Sequence, residues 1–97
     1  MSPIALFTPG RVVATPAVIR QVGSDRMVDC LKRHLHGDWG QVCPEDAQAN
    51  NLALDPDDSS RILSVYPVRP GESETGVFWI ITECDRSVTT FLLPKEY

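Results

Sequence analysis

No apolar run in this chain approaches the roughly 20 residues that span a bilayer, and the N-terminus lacks the charged region and apolar stretch of a secretory signal. The expected setting is therefore the cytoplasm. Cysteine is scarce: Cys30, Cys43 and Cys84 are odd in number and widely spaced, a poor disulfide framework that fits a reducing compartment. The chain has no Cys-x-x-Cys and no His-x-x-x-His pair, so the usual spacings of zinc ligands are missing. It has no Gly-rich phosphate loop, no nucleophile elbow and no basic-aromatic pattern of a nucleic-acid surface. Positive charge is also short, with 9 Lys and Arg against 13 Asp and Glu.

What is present supports a folded chain. Hydrophobic residues make up 42%, enough for a packed core. Ninety-seven residues leave room for one core, so residues 1–97 are read as a single domain. The charge is unevenly placed. Residues 1–36 carry five basic and two acidic groups, and residues 61–97 carry four basic and five acidic groups. Between them, residues 37–60 hold Asp38, Glu45, Asp46, Asp55, Asp57 and Asp58 and no Lys or Arg. Such a segment disfavours direct contact with nucleic acid. It suits a basic surface on another protein, or it simply serves solubility.

The element order is legible from local signals. Arg11–Ala14 reads as a short strand between Pro9-Gly10 and Thr15-Pro16. Thr15 suits an N-cap, with Pro16 at the first position of a helix that runs to about Val22 and ends at Gly23. Ser24 is expected to cap a second helix, on which Met27, Val28, Leu31 and Leu35 recur at helical spacing up to about His36. Pro44-Glu45-Asp46 opens a third helix that stops before Pro56. The last third contains three strand-like runs, 61–68, 77–84 and 88–93. Pro67 marks a strand end or edge, and the apolar run 77–84 suits a central strand. Residues 70–74 read as an exposed loop. The expected fold class is α+β: a short N-terminal strand, two to three helices, then a three-stranded antiparallel β-meander with helices packed on one face.

Two segments concentrate chemistry-bearing side chains. Arg33-His34-Leu35-His36-Gly37-Asp38-Trp39 places imidazoles, an acid, a cation and an indole at a helix end. There His34 or His36 is a candidate to protonate a leaving group, and Arg33 a candidate phosphate clamp. The structural reading makes the imidazoles partners of the helix dipole and Trp39 a core or lid residue. His34, His36, Asp38 and Cys43 have metal-capable atoms, but a His-x-His pair on a helix points its rings apart, so no metal is expected. The second segment is the corner Thr82-Glu83-Cys84-Asp85-Arg86-Ser87, with Thr89 and Thr90 following. With Arg61 it would make an anion-binding patch in which Arg86 clamps a phosphate and Glu83 acts as base. The structural reading assigns Asp85 and Ser87 to the turn, and the acids to ion pairs with Arg61 or Arg86.

The pattern His34-x-x-Gly37-Asp38-Trp39-Gly40, then Thr82-Glu83-x-Asp85-Arg86-Ser87-x-Thr89-Thr90, then Leu92-Leu93-Pro94-x-Glu96-Tyr97, resembles a family of small uncharacterised proteins of bacterial plasmids, integrative elements and prophages. The resemblance covers nearly the whole chain and brings no activity with it. It implies a mobile-element setting, where small acidic proteins often inhibit defence systems such as CRISPR–Cas. A weaker resemblance, in layout alone, is to the barnase/EndoU/colicin/RelE-like RNases, although those are usually basic and this chain is acidic.

The sequence therefore leads to two expectations. The first is a non-enzymatic accessory protein, an anti-CRISPR-like inhibitor. It would bind a host or defence-system protein with a basic surface through Asp38, Glu45, Asp46, Asp55, Asp57, Asp58 and Trp39. No cofactor, no direct nucleic-acid contact and no membrane are expected, and a homodimer is an open option. The alternative is a small RNase or nucleotide-acting enzyme using His34, Glu83, Arg61 and Arg86. It requires those four side chains to converge in one pocket.

Overall fold

The computed structural model describes residues 5–97, and for residues 72–75 the backbone only. The elements follow the local signals closely. Strand β1 is Arg11–Ala14, helix α1 is Pro16–Val22, α2 is Ser24–Leu35 and α3 is Pro44–Ala53. A 3₁₀ turn at Pro56–Asp58 leads to β2 (Ile62–Arg69), β3 (Glu72–Thr82) and β4 (Val88–Leu92), and a second 3₁₀ turn covers Pro94–Glu96. Thr15 caps α1 as its sequence suggests, accepting a hydrogen bond from the Val18 amide. Ser24 does not cap α2. It lies inside the helix, and Gly23, which ends α1, is itself the residue before α2. No helix among the described residues is long and apolar enough to cross a membrane.

The sheet corrects the expected three-stranded antiparallel meander. It has four strands in the order β1-β4-β3-β2. β2, β3 and β4 are antiparallel neighbours, but β1 joins the edge parallel to β4, pairing Arg11 with Val88 through Ala14 with Phe91. The sheet is therefore mixed. The connection that permits this is Pro9-Gly10. Gly10 sits at φ +64°, and a Cβ there would lie 2.4 Å from the carbonyl oxygens of Arg86 and Ser87. Only a glycine lets the chain pass so close to the β3–β4 turn and enter the sheet beside β4. The expected loop over 70–74 is also shorter than the sequence implied. β3 begins at Glu72, opposite Arg69, so Pro70-Gly71 alone makes the turn; the side chains of 72–75 lie outside the described residues.

Alternation sorts the side chains into two faces. On one face Tyr66, Phe78, Ile80 and Phe91 meet Val18 of α1 and Cys30 of α2 in the main core. A second cluster, Trp39, Ala53 and Ile62, lies under α3 with Phe7, Val42 and Leu54 around it. The outer edge of β2 is covered. The Asn50 side chain donates to the Leu63 carbonyl (2.7 Å) and accepts from the Leu63 amide (3.1 Å), so one α3 amide stands in for a neighbouring strand. One pleat further on, Trp39 and Gln41 bond the Val65 backbone, and Gly40 bridges to it. A Cβ at Gly40 would lie 1.9 Å from the Val65 carbonyl oxygen, so this close approach also demands glycine. On the opposite face the C-terminal turn folds back, with the Tyr97 ring 5.6 Å from Trp79.

Candidate functional site

His34 is the centre of the polar interior. It lies on the last turn of α2, and with Ser64, Thr82 and Thr89 it is fully buried, at 0% exposure. Nδ1 is 2.6 Å from Ser64 Oγ, and Nε2 is 2.9 Å from Thr82 Oγ1. Thr82 Oγ1 is 2.7 Å from Thr89 Oγ1, and the Thr89 hydroxyl donates to the Pro9 carbonyl at 2.7 Å. That carbonyl can only accept, so the direction of every bond in the chain follows. Thr89 spends its proton on Pro9, so Thr82 donates to Thr89. Thr82 then accepts from His34 Nε2–H, and the neutral ring accepts at Nδ1 from Ser64. The protons are assigned from this network. Burial lowers the His34 pKa from 6.5 to about 3, with the Arg86 charge adding to it. The imidazole is neutral at pH 7 and its tautomer is fixed.

A serine hydroxyl beside an imidazole is the pairing that activates a nucleophile. Here both groups are sealed, and every proton in the chain already has an acceptor. Phe7 packs edge-on to the His34 ring at 5.3 Å, and Trp39 does so at 6.0 Å. The arrangement joins α2, β2, β3, β4 and the Pro9 segment. Chemically it is a lock rather than a catalytic dyad.

The four residues of the enzymatic alternative do not converge. Arg86 is on the His34 side; its guanidinium lies 5.7 Å from the centroid of the Phe7 ring, which also packs on His34. That guanidinium donates to four main-chain carbonyls, those of Ala53 and Ser60 (both 2.6 Å), Glu83 (3.0 Å) and Cys84 (3.4 Å). Arg86 is a clasp between the end of α3 and the β3–β4 turn, where it takes the left-handed conformation at φ +60°. Arg61 lies elsewhere. It donates to the Tyr97 hydroxyl and sits over the Tyr97 ring, next to Trp79 on the opposite face of the sheet. Alternation with Trp79 and Ile81 puts Glu83 on that opposite side too. The sheet separates Arg61 and Glu83 from His34. The anion patch read from the corner is likewise spent on the turn: hydrogen bonding from the Ser87 side chain, and then from the Ser87 amide at 3.0 Å, holds the Asp85 carboxyl below the usual range.

The residues assigned to binding divide in two. Trp39 is 6% exposed and belongs to the core, its indole N–H donating to Asn51 at 3.0 Å, so it is not available as a contact residue. Asp38 is occupied within the fold. It pairs with Arg33 at 2.8 Å and accepts from the Gly40 amide, and its main-chain carbonyl accepts from the Tyr66 hydroxyl. The Arg33 hydrogen bond lowers its pKa. Glu45 and Asp46, in the first turn of α3, and Asp55, Asp57 and Asp58, around the 3₁₀ turn, are all exposed. Asp55 also caps that turn by accepting from the Asp57 amide at 2.9 Å.

Sequence reasoning missed Ser64 and Thr82 as partners of His34. The signal was available, because each is a polar residue on an otherwise apolar inward row, Ile62-Ser64-Tyr66 and Phe78-Ile80-Thr82. It also missed Arg26, which no motif marks. Among the described residues no group of His, Cys, Asp and Glu is placed to hold a metal ion. A cleft of about 430 Å³ lies beside Arg86, between Phe7, Leu54, Pro56 and Cys84, but the Arg86 donors in it are already bonded to carbonyls. Compared with known proteins, the chain matches no family, no curated sequence and no solved structure.

Proposed function

We propose that this chain acts by binding another protein, and that the acidic ridge of α3 and the following 3₁₀ turn is the contact surface. The observation that supports this is the exposure of Glu45, Asp46, Asp55, Asp57 and Asp58 together, in a segment that contains no Lys or Arg. The reading gains further support from the polar groups that looked catalytic. His34 and Arg86 are consumed in holding the fold. The partner is a protein with a basic surface, in keeping with the small mobile-element proteins that the chain resembles and with inhibition of a defence system. Carboxylates on a rim chiefly speed encounter and set salt dependence.

Asp57→Lys with Asp58→Lys is the cleanest variant. Asp55 caps the turn, and Glu45 and Asp46 favour the helix N-terminus, so those three also have local roles. Tagged native protein and the double variant are used to capture partners from a bacterial host lysate at low and moderate salt. The expected result is a stoichiometric protein that the native chain retains and the variant loses, with thermal stability changed by no more than about 0.5 kcal/mol. Equal capture by both forms, or nucleic acid in place of a protein, overturns the reading.

A further inference from the structure

One cationic cleft is used neither by the fold's polar interior nor by the acidic ridge. Arg26 and Arg33 lie seven residues apart on α2 and so share a face. Both line a cleft of about 360 Å³, together with Gly40, Gln41, Pro67, Pro70 and Gly71, and among the described residues none that lines it is acidic. Each guanidinium is held from one side. Arg26 donates through Nε (3.3 Å) and Nη2 (3.0 Å) to the Pro67 carbonyl. Arg33 donates through Nε (2.8 Å) and Nη2 (3.4 Å) to Asp38, lies 4.8 Å from the Tyr66 ring centroid, and is close to the Cys30 thiol. A guanidinium has five N–H donors, so both keep donors beyond these bonds. Their positions are set before any ligand arrives, which lowers the entropy lost on binding.

We propose that this cleft binds the phosphoryl group of a small phosphate ester, with Arg26 and Arg33 as the two clamps and the Gln41 side chain as a neighbouring amide. A planar carboxylate is saturated by one guanidinium fork. Two guanidiniums lining one cleft, each with Nη donors left over, suit a tetrahedral group with three terminal oxygens. The cleft volume exceeds that of a bare phosphate, which leaves space for the organic part of an ester. The ion pair with Asp38 neutralises part of the Arg33 charge, so Arg26 supplies the larger share of attraction. The inference does not depend on the protein-binding function of the acidic ridge.

The test is an amide NMR titration of the full-length protein with inorganic phosphate and with glycerol phosphate, against acetate and chloride at equal ionic strength. Expected are saturable shifts confined to Gly40, Gln41 and Gly71, with a dissociation constant of about 1 mM. Arg26→Gln is expected to weaken binding about tenfold, its own spectrum showing that the fold is kept. Arg26→Lys and Arg33→Lys keep the charge without the fork, and both are expected to bind more weakly than the native chain. Tighter binding of glycerol phosphate than of phosphate supports an ester; equal affinity would overturn the ester in favour of the free anion. The proposal falls if shifts do not saturate below ~20 mM, if acetate matches phosphate, or if the lysine variants bind as well as native.

Discussion

At the residue scale, the fold depends on side chains that a catalytic reading would claim. His34 is neutral in the folded state because burial lowers its pKa to about 3, while an unfolded histidine titrates near 6.5. Between these values the unfolded chain binds one more proton than the native one, so stability falls as pH falls. The full contribution is present above about pH 6.5, and about 1.4 kcal/mol is lost for each pH unit below it. Asp38, Asp85 and Glu96 have lowered pKa values and also lose stability in acid, but only as pH falls through the carboxylate range. The window from pH 6.5 to about 4.5 therefore belongs to His34. Urea midpoints across that window are expected to slope in the native protein and to flatten in His34→Gln. An unchanged slope in the variant would show that another group is responsible. Arg86 gives a companion prediction. Its guanidinium bonds four carbonyls from three segments. Lysine keeps the charge but not the fork, so Arg86→Lys is expected to cost about 3 kcal/mol, read by denaturant unfolding.

At the element scale, the local signals were legible where one residue type has one physical use. Thr15-Pro16 opened α1, Pro44 opened α3, and the alternation in β2 and β3 marked the strands. Sheet order was not legible, because β1 is placed by contacts far away in the chain. Thr89 bonds Pro9 across 80 positions, and Gly10 passes the Arg86 and Ser87 carbonyls. The reach of β3 back to Glu72 was missed because backbone pairing needs no apolar side chain, whereas hydrophobic patterning sees only the apolar part of a strand. The candidate site shows the same division. The helix-end cluster at residues 33–39 was read as one group, but its split into lock, core and ion pair depends on which sheet residues it meets. Asn50 carries the least visible role, since its amide bonds both backbone groups of Leu63 at the sheet edge. Asn50→Ala leaves that N–H and C=O without a partner and is expected to destabilise by about 2 kcal/mol. Hydrogen exchange at Leu63 should accelerate while that at Ile80, in the sheet centre, stays slow. Equal acceleration at both would mean that α3 does more than cover an edge.

At the scale of the whole molecule, two charged features stand out: the exposed carboxylates of α3 and the following 3₁₀ turn, and a cleft lined by two arginines. The two respond to ions differently. Repulsion along the ridge is relieved by any salt, because screening depends on ionic strength and not on the identity of the ion. The cleft responds only to an anion that its guanidinium forks fit. Sodium chloride is therefore expected to raise the melting temperature slightly in the native protein and less in the Asp57→Lys, Asp58→Lys variant. At matched ionic strength, phosphate at ten times its dissociation constant adds about 1.4 kcal/mol by mass action. In a domain of this size that is a further rise of several degrees. Arg26→Gln should cut the phosphate-specific part to about 0.4 kcal/mol and leave the chloride effect intact, and the ridge variant should weaken the chloride effect and leave the phosphate-specific part intact. These melting curves separate two surfaces that net charge alone merges, since an overall value of −4 predicts repulsion of phosphate. A phosphate effect that follows the ridge variant would mean that the arginines serve only the fold.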